Sequence, residues 1–356
     1  MVDESMLEKK WRMLDYSVPD AKMNLAVDEA ILRCRNDGLV LDTIRLWQNV
    51  NAAVVGCNDS VEFEVDLEAC RRRGLTITRR VSAGETVYHD KDNLNFTIVL
   101  SEKSFPLPEN LLDSYKLMCR SVARGLNLLG VNATIDDYGQ TIFSRDRRIA
   151  EAGQYFFYDL MLFHGTVYVD TDLTLANEVL KRRDKPLTTL RTEVGKDVSM
   201  VKVKQSLIEG FQSQLGIELS PERTLTEHEK TLAEKLYAVK YSTDEWNIGA
   251  KTPLSLRDVL IEVYVAYPPT SMCRGIMNVV SAVAAKFPSR VEIRTWMRGR
   301  GLEGRGAPPG VIMSHGLQRA SKESIVPAII INGEIAFGRA VPSEDDLAKA
   351  ISKRLN

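Results

Sequence analysis

The chain of 356 residues carries 47 basic and 48 acidic side chains, a formal net charge of −1, and is 44% hydrophobic. Balanced charge gives no nucleic-acid footprint. No apolar run approaches the roughly 20 residues that cross a bilayer, and the N-terminal MVDESMLEKKWRMLDYS lacks the apolar centre of a signal peptide. The length exceeds what one core serves, so the expectation is two domains in a cytoplasmic protein with neither a membrane nor a nucleic-acid partner.

Taken in order, residues 21 to 35 have helical periodicity, with Asp20 available as N-cap. Ile44 to Trp47 and Ala52 to Gly56 read as short strands, and Glu64 to Arg73 as a helix stopped by Gly74. Leu75 to Thr78 and Leu94 to Leu100 read as strands flanking Arg79-Arg80-Val81-Ser82-Ala83-Gly84-Glu85-Thr86-Val87-Tyr88-His89-Asp90. A small-residue turn between strands lets backbone N–H groups approach a ligand, and two arginines at its mouth suit a phosphate or carboxylate. Taken alone, the same run fits a surface hairpin with solvated arginines. Asn110 to Leu129 is an amphipathic helix closed by Gly130, Leu160 to Val169 a strand, and Val198 to Leu215 a helix.

After residue 256 the chain changes character, holding 14 Lys and Arg against 9 Asp and Glu for a net +5, which leaves −6 for the rest. A strand at Leu260 to Ala266 is broken by Pro268-Pro269. A helix follows from Cys273 to Lys286, a strand from Val291 to Trp296, and a Gly- and Arg-rich loop from Arg298 to Gly310. Val326 to Gly338 reads as a hairpin turning at Asn332-Gly333, and Pro342 to Leu355 as a closing helix capped by Ser343. The five cysteines, Cys34, Cys57, Cys70, Cys119 and Cys273, are odd in number and lack CxxC or zinc spacing, so neither a disulfide framework nor a metal site is expected.

The 79–97 run resembles the RRxSGGGxVYHDxGNLNFT loop of the biotin and lipoate protein ligase family, in its lipoate-protein ligase and octanoyltransferase branch. Asn24 to Leu32 is similar to the family's NLAxDEAxL, Ile44 to Trp47 to LRxW, His164-Gly165-Thr166 to its HGT strand, and Tyr241 to Asn247 to its YSSDEWN ending. The resemblance covers about residues 10 to 248. It implies an α/β (α+β) fold with a mixed sheet and packed helices, as a catalytic domain over 1–185 and an accessory helical segment over 186–255. It also implies activation of lipoate or octanoate by ATP and magnesium as an acyl-adenylate. Transfer would follow, to a lysine of a lipoyl-carrier protein of the E2 or glycine cleavage H type.

By the same resemblance Arg80, Ser82 and Gly84 hold the phosphate. Glu85, Thr86, Tyr88, Asp90 and Asn95 belong to that binding loop, and His89, Gln154, His164, Gly165 and Thr166 line the pocket. Two departures stand out. The glycine triplet reads Ala83-Gly84-Glu85, which places a carboxylate where a phosphate is expected, a repulsion on the order of 4 kcal/mol at about 4 Å. Arg148, beside Arg147, occupies the position of the catalytic lysine, and no lysine lies between Lys116 and Lys181. Octanoyl transfer through a cysteine is disfavoured, since none lies between Cys119 and Cys273.

Residues 256–356 resemble a thioredoxin-like domain, in which Pro327 would be cis and face a reactive Cys273. The usual CxxC stands as Thr270-Ser271-Met272-Cys273, so a cycling dithiol is absent and a docking role stays open. Arginines 290, 294, 298, 300 and 305 suit either a solvated face or an acidic carrier. Against the ligase expectation stands a catalytically weakened fold that binds an acyl or lipoyl group, or a lipoylated partner, and presents it to the C-terminal domain.

Overall fold

The computed structural model describes residues 10–108, 110–136, 141–181, 185–250, 253, 255–288, 290–299, 301–302 and 313–355. The chain divides into two compact units, Met1–Lys251 and Thr252–Asn356.

The strands of the first unit are β1 (Lys10–Asp15), β2 (Thr43–Trp47), β3 (Ala52–Val55), β4 (Thr76–Arg79), β5 (Val87–His89), β6 (Asn93–Ser101), β7 (Ala133–Ile135), β8 (Thr141–Ser144), β9 (Arg147–Phe157), β10 (Leu160–Tyr168) and β11 (Glu218–Glu222). Eight form a mixed sheet in the order β11-β1-β2-β6-β10-β9-β8-β7, and three a small sheet in the order β4-β3-β5. Its main helices are α1 (Ala21–Asn36), α2 (Leu111–Asn127), α3 (Met200–Leu215), α4 (Glu227–Leu236) and α5 (Asp244–Asn247). The expected α/β class with a ligase-like mixed sheet is what the chain adopts. Residues 186–250 lie within this unit, since β11 pairs with β1 and α3 packs on α2.

Period-two alternation gives the large sheet two unlike faces. On β6, Leu94, Phe96, Ile98 and Leu100 enter one apolar core with Met118, Val122 and Leu126 of α2 and Val203, Leu207 and Phe211 of α3. Burying each such side chain contributes about 1.5–3 kcal/mol. The other face carries Arg45, Asn95, Thr97, His164 and Thr166, all buried, and α1 lies against it with Asn24, Asp28 and Glu29 buried as well. Asp20 caps α1 as expected, its carboxylate accepting from Met23 N at 2.9 Å. The helix expected over 64–73 is two short ones, Val61–Glu64 and Leu67–Arg73, because buried Val65 is extended against Leu180 and Asp66 starts a new helix by accepting from Ala69 N at 2.8 Å. Gly74 stops it at φ 64°.

The second unit has strands β12 (Val259–Val265), β13 (Val291–Met297), β14 (Gly301–Leu302), β15 (Ala328–Ile331) and β16 (Glu334–Gly338), in the order β14-β13-β12-β15-β16, with helices α6 (Ser271–Ala284), α7 (His315–Lys322) and α8 (Glu344–Leu355). Ile261, Val263 and Val265 of β12 pack with α6 and α8, while Tyr264 packs with α7. The hairpin turns where expected, with Asn332 at φ 49° and Gly333 at φ 86°, and the Val326-Pro327 peptide is cis. Much of the Arg298–Gly310 loop, with Arg300 and Arg305, lies outside the described residues. Arg290 pairs with Asp258 at 2.7 Å and Arg294 with Glu292 at 2.6 Å, so these two charges are matched within the unit. Among the described residues no helix is long and apolar enough to cross a membrane.

Helices α2 and α3 approach closely, so that a Cβ on Gly210 would lie 2.5 Å from Ser121 O and 2.9 Å from Gly125 Cα. Gly210→Ala is therefore expected to lower stability by about 1–3 kcal/mol, read as a shift of the urea midpoint. An unchanged midpoint would show that the two helices separate freely.

Candidate active site

The polar face of the sheet is organised by Arg45, which is fully buried. Its Nη1 donates to Asp28 Oδ1 at 2.6 Å and to Asn24 O at 2.8 Å, its Nη2 to Asn24 Oδ1 at 2.6 Å, and its Nε to Tyr16 O at 2.9 Å. Asp28 Oδ2 accepts from Thr97 Oγ1 at 2.8 Å, and Thr97 Oγ1 in turn accepts from Trp47 Nε1 at 2.9 Å. Arginine has no acceptor, so it fixes the polarity of the amides bonded to it. Asn24 must present Oδ1 to Arg45, leaving Nδ2 to donate to Asn49 Oδ1 at 3.2 Å, and Asn49 Nδ2 to donate to His89 Nδ1 at 3.3 Å. His89 therefore carries its proton on Nε2. Burial, reinforced by Arg80, pushes its pKa down to about 3, so it is a neutral hydrogen-bond donor.

His164 takes the opposite tautomer. The Asp28 carboxylate can only accept, so Nδ1–H faces its Oδ2 at 3.5 Å and Nε2 accepts the Ser82 hydroxyl hydrogen at 2.6 Å, while Ser82 Oγ accepts from Arg80 Nε at 3.0 Å. Burial holds its pKa below the usual imidazole value despite Asp28.

The loop arginines do not offer the free positive charge expected of them. Arg80 Nη1 donates to Val54 O at 3.0 Å, and Nη2 to Ala83 O at 3.1 Å and Glu85 O at 2.9 Å. It forms a pocket wall and laces the 82–86 turn shut. Arg79 points the other way, donating to Gly56 O at 2.6 Å and Trp246 O at 3.0 Å, while Trp246 Nε1 returns a bond to Arg79 O at 2.8 Å. Successive strand residues face opposite sides, so only one of the pair could reach the pocket. Gly84 completes the turn at φ 107°, a conformation that disfavours a side chain.

The cation that does reach the pocket is Arg148. Its Nη1 meets Glu85 Oε2 at 2.5 Å and its Nη2 meets Glu85 Oε1 at 3.2 Å, a two-point fork. Nη1 also reaches Glu151 Oε1 at 3.1 Å, and Glu151 Oε2 accepts from Tyr168 OH at 3.0 Å. Burial alone would lower the guanidinium pKa, but the hydrogen bond to Glu85 and the Glu151 charge raise it. The two departures from the family pattern are thus a single contact. Glu85 is neutralised by Arg148.

These groups line one cavity of about 580 Å³ including its open mouth. Of the residues expected there, Arg80, Gly84, Glu85, His89, Arg148, His164, Gly165 and Thr166 form its wall. Ser82 sits behind His164. Tyr88 turns into the small core with Val55, and Asp90 accepts from Asp172 N at 2.9 Å and Asp92 N at 2.8 Å, because Val87 and His89 occupy the inward positions of β5. Thr86 and Gln154 are not part of the lining. Asn95 is fully buried beside it in register with Thr166, and its amide makes no hydrogen bond among the described residues. Sequence reasoning missed the apolar wall of Leu25, Trp47, Val54 and Val87, and the polar Thr141 and Glu151. The spacing Arg148 to Glu151 would have exposed the last only with the β8–β9 bulge known.

Cys273, expected as a reactive thiol, is fully buried in the second unit. Burial opposes its ionisation, yet bonds from Thr270 Oγ1 at 3.2 Å and Ala266 N at 3.4 Å bring its pKa below the usual thiol value. Among the described residues no three His, Cys, Asp or Glu side chains converge as a metal site would need.

Residues 20–212 match the family model described as the lipoyl protein ligase A/B catalytic domain. The chain is 31% identical to the lipoate-protein ligase A subunit 1 of Thermoplasma acidophilum, over 67% of this chain and 96% of that one. It is 28% identical to octanoyltransferase LipM of Geobacillus kaustophilus, over 68% and 99% of the two chains. Among solved structures, a lipoate-protein ligase A bound with ATP superposes with a TM-score of 0.62 at 30% identity, over 68% of this chain and 100% of that one.

The relay from Arg45 to His89 makes a direct forecast. Because the folded pKa of about 3 lies below the unfolded value of 6.5, the contribution of His89 to stability is complete above pH 6.5 and lost as pH falls toward 3. Nitrogen-15 NMR should show His89 as the Nε2–H tautomer with no titration between pH 8 and 5. A midpoint near 6.5 would break the relay.

Proposed function

The chain belongs to the lipoyl protein ligase A/B catalytic domain family, and we propose that its first unit activates lipoate or octanoate with ATP as the acyl-adenylate and passes the acyl group to a carrier-protein lysine. The observation that carries this reading is the cavity itself, with a buried arginine fork at one wall and Leu25, Trp47, Val54 and Val87 forming an apolar surface for an acyl chain. The carboxylate oxygen would attack the nucleotide's α-phosphorus and release pyrophosphate. The carrier's amine would then attack the acyl carbonyl and release AMP. Arg148 is assigned the charge developing on that carbonyl, in place of the lysine, and the His89 Nε2–H supplies a fixed neutral donor.

The turn at Gly84 lets backbone approach a phosphate closely, and it suits one once the Glu85 carboxylate turns away. With no converging carboxylate set among the described residues, magnesium would enter on the nucleotide's phosphates rather than in a protein cage. The carrier is proposed to be a lipoyl domain of the E2 or glycine cleavage H type. None of the residues lining the cavity is a cysteine, which speaks against a thioester route within this unit.

A second reading has its own support. The cavity lining includes no lysine and Arg148 is already satisfied by Glu85, as in a ligase fold that retains binding and has lost rate. That fold would hold an acyl or lipoyl group for the second unit, which we read as thioredoxin-like from the order β12, α6, β13, β15, β16, α8, with Cys273 in the first turn of α6.

Two experiments separate these. Mass spectrometry of a lipoyl carrier incubated with protein, ATP and lipoate or octanoate should show ATP-dependent acylation, and Arg148→Gln should lower kcat/KM by about 10²–10³. No acylation, together with acid binding that persists without ATP, would select the binding module. In the second unit a buried Cys273 should be alkylated by iodoacetamide more slowly than the half-buried Cys57. Faster labelling would restore it as a reactive thiol.

A further inference from the structure

Glu85 and Arg148 meet as two partners of very different freedom. The Arg148 side chain is 5% exposed and that of Glu85 is 55% exposed. Arg148 is held from below by Glu151, which Tyr168 OH fixes, and its backbone is pinned by bonds with Pro186 O at 2.9 Å and Thr188 N at 2.8 Å. Glu85 stands on the outer side of a small-residue turn, next to Gly84 at φ 107°. Both line the cavity, together with the apolar Leu25, Trp47, Val54 and Val87.

We propose that Glu85 is an internal occupant of a carboxylate site, and that the substrate is recognised as a free carboxylate with an apolar tail that replaces Glu85 on the Arg148 fork. The inference rests on the acid-activating reading and narrows it. Two parallel N–H donors match two carboxylate oxygens and no neutral carbonyl. A thioester or amide would offer one uncharged oxygen, leaving Glu85 the better partner, so exchange favours the acid over its pre-activated derivatives. The exchange moves only the exposed side chain, because the arginine is already in place. It also clears the Glu85 charge from the turn where a phosphate would sit.

Calorimetric binding of lipoate, octanoate and octanamide to the full chain tests this in wild type, Glu85→Gln and Glu85→Ala, each checked for an unchanged melting temperature. Removing the competing carboxylate should tighten acid binding on the order of tenfold in both variants and leave octanamide unchanged. Acid affinity equal in wild type and variants overturns the exchange while leaving the acid-activating reading intact. Acid and amide tightening together would make Glu85 a steric plug and likewise overturn it. Binding of neither acid by any of the three proteins removes the reading itself, and the inference with it.

Discussion

Arg45 and Asp28 form an ion pair with no access to water, and desolvating the two charges is offset only because nearly every polar atom of both is hydrogen-bonded. Removing one partner from such a pair costs about 3–5 kcal/mol, so the pair holds α1 to the sheet in one register. It also sets the chemistry of the pocket. A donor-only guanidinium at one end of the Asn24 and Asn49 amides decides which nitrogen of His89 bears a proton, and the Asp28 carboxylate faces the Nδ1–H of His164. Two histidines 4 to 5% exposed are thereby set in opposite tautomers before any ligand arrives, and burial keeps both neutral.

A second layer of buried charge ties the end of the first unit to its beginning. Glu29, next to Asp28 on α1, accepts from Lys240 Nζ at 2.8 Å and Tyr241 OH at 2.7 Å, and the lysine lies over the Trp246 ring. Burial works against the Glu29 charge, but Lys240 and Arg33 bring its pKa down to about 2. Arg79 completes the tie through Trp246 and Asn247. The Tyr241–Asn247 motif thus acts through the loop: it consumes one of the two loop arginines, leaving the other to shape the turn.

Once Arg79 and Arg80 are committed to backbone carbonyls, the electrostatics of the cavity rest on Arg148, Glu85 and Glu151. Arg148 offers a planar fork and the Glu85 carboxylate is its complement. Arg148 lies between two carboxylates, so it stays paired with Glu151 even when Glu85 moves away.

Local pattern determined much of this protein. Capping and left-handed positions placed Asp20, Gly74 and the Asn332-Gly333 turn, since these depend on a residue and its immediate neighbours. Alternation along β6 determined which residues would face an apolar core, and the motifs located the loop and the His164 strand. Tertiary structure decided what side-chain type cannot show. Arg79 and Arg80 look alike in sequence, yet Arg79 is fixed by carbonyls of Gly56 and Trp246, 23 and 167 positions away, and Arg80 by Val54 O, 26 positions away, together with carbonyls of its own turn. The Glu85 carboxylate is met by Arg148, which β9 delivers from 63 residues downstream. Cys273, at a helix start that favours a thiolate, is closed off by Val265, Ile276 and Val280 in the core of its own unit. Charge and spacing are local properties of a chain, whereas satisfaction of a charge and access to a thiol belong to the packing around them.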